Sequence, residues 1–309
     1  MNNYKMKKQL LTILFTTICS TAVSAQNVKV IELSDKRCSQ MFASGVISET
    51  APVQCERLRE VHFDYIDFQG KHNKDGVMVV MDAVAPYVAN IFEGLYKQQF
   101  PINKAHPISN YQGDDNRSMD ANNSSSFNYR QVIGNSSLSL HAYGLAIDIN
   151  PVQNPFIEFS DQGNATFSPV DGAKFANRKQ YRYGKDNRKG FAEDVVDLFA
   201  TNGFIYWGGF WNTPIDYQHF QVSRSMANLM VVMSASEAKQ FFKQYVDWYQ
   251  SCEVIYPVAY SQHRVNDYVV YLKQKLAVSS LSETYKTAPQ KVLSAIQTPF
   301  KRSAVCVKK

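Results

Sequence analysis

The sequence predicts a mixed fold of strands and helices, extended at its C-terminal end by helices alone. Residues 61–68, "VHFDYIDF", begin by alternating apolar and polar side chains, the pattern of a half-buried strand. After Pro86 the apolar positions Val88, Ile91, Phe92 and Leu95 recur at helical spacing, with the proline suited to a first turn. Beyond Ser234 the strand-like runs stop and long helical patterns take over.

Taken in chain order, residues 77–80 read as a second short strand and the segment from Pro86 as a helix. Residues 103–137 are rich in Asn, Ser and Asp and read as a long loop, a kind of segment that often carries function in a compact domain. Residues 150–190 read as irregular, with Pro151, Pro155, Pro169 and several glycines. Residues 191–200 place Phe191, Val195, Leu198 and Phe199 on one helical face, ended by Asn202-Gly203. "FIYWGGFW" reads as a strand entering a Gly-Gly turn, and "HFQV" at 219–222 as another strand. Ser234 and Glu237 have the spacing of a capping box before the helical run "AKQFFKQYVDWYQ", and residues 267–278 fit a further helix. The expected division is residues 1–25 as a leader, 26–225 as the main body and 226–309 as a helical extension.

The leader expectation rests on Lys5, Lys7 and Lys8, a short apolar segment over residues 10–20, and the small residues Val23-Ser24-Ala25 at a cleavage position. That is the order of parts in a secretory signal peptide. No later segment approaches the roughly 18 apolar residues of a membrane span, so an exported protein without a span is expected. Removing residues 1–25 takes away three lysines and no acids, so the formal charge falls from +6 to +3. So mild a basic balance suits an anionic surface and gives no reason to expect nucleic-acid binding.

Four cysteines follow the leader: Cys38, Cys55, Cys252 and Cys306. None forms a CxxC pair, which argues against a thiolate metal site. An even count in an oxidising compartment suggests two disulfides. Of three possible pairings, Cys38 with Cys55 and Cys252 with Cys306 keeps each bridge within one segment.

The chemistry concentrates in two short stretches. "SLSLHAYGLAIDINP" (137–151) sets Asp148 among isoleucines, seven residues after His141. A carboxylate in an apolar run is costly unless it is paired or holds a metal. On a straight strand an offset of seven would put the two side chains on opposite faces, but Gly144 allows a bend that brings them together. "DYQHF" (216–220) places Asp216 three residues before His219, close enough to share one turn. A catalytic zinc needs three protein ligands, an open position and a base beside it. His141, Asp148 and His219 can be the ligands and Asp216 the base. His62, His72, His106 and His263 lack an acid in an ordered pattern and read as structural or solvent-exposed.

"SLHAYGLAID" (139–148) resembles the S-x-H-x-x-G-x-A-x-D pattern of the M15 zinc peptidases, the D-alanyl-D-alanine carboxypeptidase and L-alanyl-D-glutamate endopeptidase group. "WGGFWNTPIDYQHF" (207–220) is similar to that family's second motif, where an acid precedes the last histidine ligand by three residues. The resemblance runs over roughly residues 60–225, with "FNYR" at 127–130 and "NP" at 154–155. It implies a compact α+β fold of the Hedgehog/D-Ala-D-Ala peptidase type: a small antiparallel sheet flanked by helices, with zinc at its face. It also implies His141, Asp148 and His219 as Zn2+ ligands, Asp216 as general base and Arg130 as the group that steadies the oxyanion. The implied substrates are peptide stems of peptidoglycan in an exported setting. Asp rather than Glu at 216 resembles the endopeptidase branch. The alternative is a binding module that keeps zinc structurally, but such a site needs no base and is normally closed by a fourth ligand.

Other features carry less. Arg117 in "DDNRSM" is the nearest competitor to Arg130. "DDNRSMDANNSS" (114–125) has Met119 and Ser125 where a calcium-binding EF-hand loop needs Gly and Glu. The aromatic stripe Phe241, Phe242, Tyr245, Trp248 and Tyr249 reads as core rather than as a sugar-binding surface.

Overall fold

The computed structural model describes residues 28–132, 136–255 and 267–300, together with Cys306. The expected leader and His263 lie outside the described residues.

The chain opens with β1 (Lys29–Glu32) and α1 (Asp35–Ala43), then a hairpin of β2 (Leu58–Ile66) and β3 (His72–Met81), then α2 (Ala85–Lys97). β4 (Lys104–Ala105), α3 (Asp115–Asp120) and β5 (Asn123–Ser124) follow, and then β6 (Ala146–Asp148), β7 (Phe156–Phe159) and β8 (Ala165–Ser168). α4 (Val196–Thr201), β9 (Tyr206–Trp207), β10 (Ile215–Asp216) and β11 (His219–Gln221) complete the region around the site. α5 (Arg224–Val232), α6 (Ala235–Ile255) and the helices Tyr268–Leu276, Leu281–Thr287 and Pro289–Gln297 close the chain.

This is an α+β architecture, with its antiparallel pairing divided among three small sheets. They run in the orders β1-β2-β3, β10-β7-β8 and β6-β11-β9, and β4 pairs with β5 in parallel. Val61, Phe63 and Tyr65 of β2 point inward, and Phe63 stacks on Phe92 of α2 with centroids 3.8 Å apart. Each such ring removed from water contributes roughly 1.5–3 kcal/mol, so the hairpin and α2 hold each other. The second strand is longer than the sequence suggests. Its polar first half is carried by pairing with β2 rather than by burial, which apolar alternation cannot reveal.

The C-terminal helices share this core. Tyr87 of α2 meets Phe242 of α6 edge-on at 5.0 Å, and Arg57 pairs with buried Asp82 while donating to the Met233 carbonyl at 3.0 Å. Ser234 and Glu237 form the expected capping box. All five stripe aromatics of α6 are buried, so they are core. Cys38 bonds to Cys55 and Cys252 to Cys306, the local pairing.

The two expected loops contain more structure than their composition suggests. Residues 103–137 include β4, α3 and β5, and residues 150–190 include the β7–β8 hairpin. Elements this short have no hydrophobic period to read. Asp114 caps α3 instead of serving a calcium loop. His62 pairs with buried Glu60, His72 meets the Tyr96 hydroxyl and His106 pairs with Asp75, all with partners other than the candidate site residues.

Candidate metal centre

His141 sits in a 3-10 turn, Leu140–Tyr143, whose preceding Ser139 accepts the His141 N–H. Gly144 ends the turn with φ +65°, where a side chain is strained. An added Cβ would also lie 2.6 Å from the Met81 nitrogen, while the Gly144 carbonyl accepts the Met81 N–H at 3.1 Å. The turn is therefore clipped to the end of β3, and the chain re-enters as β6. This is the bend that lets residues seven apart converge.

β6 and β11 pair antiparallel with Asp148 directly opposite His219. A second close approach fixes the strand before β11. A Cβ on Gly208 would lie 2.4 Å from the Asp216 carbonyl oxygen, and the Trp207 indole N–H donates to the Tyr217 carbonyl at 2.7 Å. The Trp-Gly-Gly segment thus lets β10 pass closely and turn through Tyr217-Gln218 into β11.

Three ligand atoms meet here. His141 Nε2 lies 3.1 Å from Asp148 Oδ2 and 3.2 Å from His219 Nδ1, and His219 Nδ1 lies 2.9 Å from Asp148 Oδ1. All three side chains are buried. The opposite nitrogen of each ring is occupied. His141 Nδ1–H donates to the Ser126 carbonyl at 2.6 Å, and His219 Nε2–H donates to Gln221 Oε1 at 2.7 Å. The remaining nitrogens and the carboxylate therefore face one another, an arrangement that needs a cation or a proton between them. A tetrahedral zinc with bonds near 2.0–2.1 Å spaces its ligand atoms by roughly 3.3 Å. The observed spacings and donor types fit that ion, and both histidines are held by outer acceptors as metal-bound histidines are.

The electrostatics agree. Burial alone would raise the Asp148 carboxyl, yet the His141 and His219 imidazoles hold it well below the usual carboxylate range. Burial works against charge on His219 as well, but Asp148 and then Asp216 raise it to about 9. Without a metal, a proton shared with Asp148 takes the place of the cation. Asp216 is different. Burial pushes it up to about 6, the Asp148 charge adding to the rise while His219 and His141 oppose it. Its Oδ1 is buried and has no hydrogen-bond partner among the described residues.

The centre opens onto a cleft of about 340 Å³ whose walls include Arg130, Trp211, Asp216, Gln221 and Arg224. Trp211 packs against His219 at 5.6 Å. Arg130 Nη2 is bound to Asp115 Oδ2 at 2.7 Å, while its competitor Arg117 is exposed and bonds Gln112. The structure thus gathers His141, Asp148 and His219 at one point and places Asp216 and Arg130 on the same cleft. Sequence reading missed Ser126 and Gln221. Gln221 was findable, because it lies two residues after His219 on one strand face. Ser126 acts through its backbone carbonyl, for which side-chain identity gives no signal.

A buried His-Asp-His cluster at the end of a cleft could hold a metal ion, and it lies beside an acid, Asp216, whose Oδ1 has no hydrogen-bond partner among the described residues. Residues 133–222 match a family model described as D-alanyl-D-alanine carboxypeptidase, which supports an assignment to the M15 peptidases, and the matched segment contains all three cluster residues and Asp216. No curated protein and no solved structure matches the chain.

Proposed function

We propose that the protein is an exported zinc metallopeptidase that hydrolyses peptide stems of peptidoglycan. The observation that carries the reading is the convergence of two imidazole nitrogens and one carboxylate within 3.2 Å, beside an acid whose buried Oδ1 has no hydrogen-bond partner among the described residues. His141, Asp148 and His219 would hold zinc, which when bound supplies Lewis acidity toward the scissile carbonyl and the attacking water. Asp216 accepts the proton of that water and returns it to the leaving amine. Arg130 donates to the carbonyl oxygen as negative charge develops, a contribution of about 3 kcal/mol in other enzymes. Asp115 holds that guanidinium at the cleft wall.

The two disulfides and the absence, among the described residues, of any helix able to cross a membrane are compatible with export. Residues 26–225 would form the catalytic unit, with the helices of 226–309 as an extension built onto its core. A binding module with structural zinc is disfavoured by Asp216, whose buried Oδ1 such a module has no reason to keep without a partner.

Asp216 resembles the L-alanyl-D-glutamate endopeptidase branch, whereas the matched family model bears the carboxypeptidase description. Mass spectrometry of defined stems separates them. A tetrapeptide stem cut after L-Ala marks the endopeptidase, and a pentapeptide stem losing its terminal D-Ala marks the carboxypeptidase. Intact stems of both kinds after incubation with the zinc-loaded protein would contradict the reading.

A further inference from the structure

We infer that Arg224 forms a subsite for a carboxylate of the substrate, on the wall of the same cleft. The inference rests on the hydrolytic reading above and adds to it the group by which a peptide is selected.

Two arginines reach the cleft, and they differ in how they are occupied. Arg130 is bound to Asp115 at 2.7 Å, so its charge is locally compensated. Arg224 forms no ion pair with any carboxylate among the described residues. One Nη2–H donates to the Leu138 carbonyl at 2.6 Å, and its guanidinium carbon lies 5.4 Å from the centre of the Tyr143 ring. These contacts fix the plane of the group and consume one of its five N–H donors. The rest of the donors are not buried orphans, so they are open to the cleft or its solvent.

The position is a poor one for a cation on grounds of stability. Arg224 is the first residue of α5, directly after the Ser223 cap, and no acid lies in that first turn. A helix N-terminus is its positive end, which favours anions and disfavours an arginine. The same charge becomes useful when a carboxylate enters, because a fixed, planar guanidinium presents paired donors to such a group. Of the cleft acids, Asp115 is paired with Arg130, Asp148 and Asp216 are committed to the metal centre in the reading above, and Glu158 forms no ion pair with Arg224, so Arg224 keeps a positive charge that no carboxylate among the described residues contacts.

The carboxylate could be the C-terminal one, as in release of a terminal residue, or the free α-carboxylate of a D-glutamyl residue linked through its side chain. The chemistry is shared and the test separates the sources. Two peptide pairs are compared. One pair differs only in a free or amidated C-terminus, the other only in a D-glutamyl or D-isoglutaminyl residue. kcat/KM and direct binding by calorimetry are measured for the zinc-loaded wild type, Arg224→Gln and Arg224→Lys, with zinc content checked in each.

The expected result is that wild type prefers the carboxylate member of one pair, and that Arg224→Gln loses about 10- to 150-fold on that member while little affecting its amide, as for loss of a charged hydrogen bond. Arg224→Lys recovers part of the preference. The pair that responds names the source. Equal losses on both members would assign Arg224 a structural role and overturn the subsite, as would an unchanged preference in Arg224→Gln. If wild type hydrolyses no peptide, the peptidase reading fails. The subsite is then judged by binding alone, and equal affinity of wild type and Arg224→Gln for the carboxylate peptides overturns it.

Discussion

Asp148 and His219 face each other as cross-strand partners on β6 and β11, with Oδ1 and Nδ1 2.9 Å apart. One register therefore sets two of the three candidate ligands, and the adjoining turn needs only to deliver His141. Because side chains alternate along a strand, a slip of one residue would carry Asp148 or His219 to the other face and dissolve the site.

Gln221 should tune the metal without touching it. Its Oε1 accepts from His219 Nε2 and so turns Nδ1 toward the cluster. Gln221→Leu removes that acceptor at similar volume and should weaken zinc affinity about 10- to 100-fold, the usual scale for a lost outer partner. Competition against a chelator dye measures it, and unchanged affinity would count against the tautomer assignment.

Metal uptake should release protons. In the metal-free chain His219 is raised to about 9. Its folded pKa exceeds the ordinary 6.5, so the stability it adds is fully present below pH 6.5 and is lost as pH rises toward 9. Chelator-treated protein should therefore lose thermal stability across that window more than zinc-loaded protein does. Calorimetry at pH 7.5 in buffers of different ionisation enthalpy should show close to one proton released per zinc. A release near zero would contradict the protonated apo state.

Gly144 should be irreplaceable. Its φ of +65° and the backbone of Met81 and Val80 leave no room for a Cβ. Gly144→Ala should cost more than about 1 kcal/mol and lower the zinc content by displacing His141. A melting temperature and zinc content equal to wild type would show that the turn adapts.

Thiol titration of denatured, unreduced protein should find Cys38, Cys55, Cys252 and Cys306 unreactive, since each is bridged. Four titratable thiols would contradict the bridges.

The candidate site was legible because its chemistry is local in sequence. His141 with Asp148, and Asp216 with His219, each fall inside one short run, and Gly144 marks the bend between the first pair. The helical faces of α2 and α6 were legible from their apolar period. The sheets were less so. Pairs such as β9 with β11, or β10 with β7, involve two or three residues, and their register is set by Gly208 and by packing rather than by alternation. β1, α1 and the helices Leu281–Thr287 and Pro289–Gln297 went unread. β1 is exposed along its length, and α1 buries only Met41, so neither shows a strong apolar face.

The most direct test of the central claim compares Asp216→Asn with Asp148→Asn for zinc content and kcat on the cleaved stem. Both changes remove a charge at nearly constant volume. Asp216→Asn is expected to keep about one zinc per chain while kcat falls at least about a hundredfold, the scale of a lost general base. Asp148→Asn is expected to lose the zinc itself. If Asp216→Asn lost its zinc while Asp148→Asn kept it, the ligand and base would have to be exchanged. If both variants kept zinc and full activity, the site would not be catalytic.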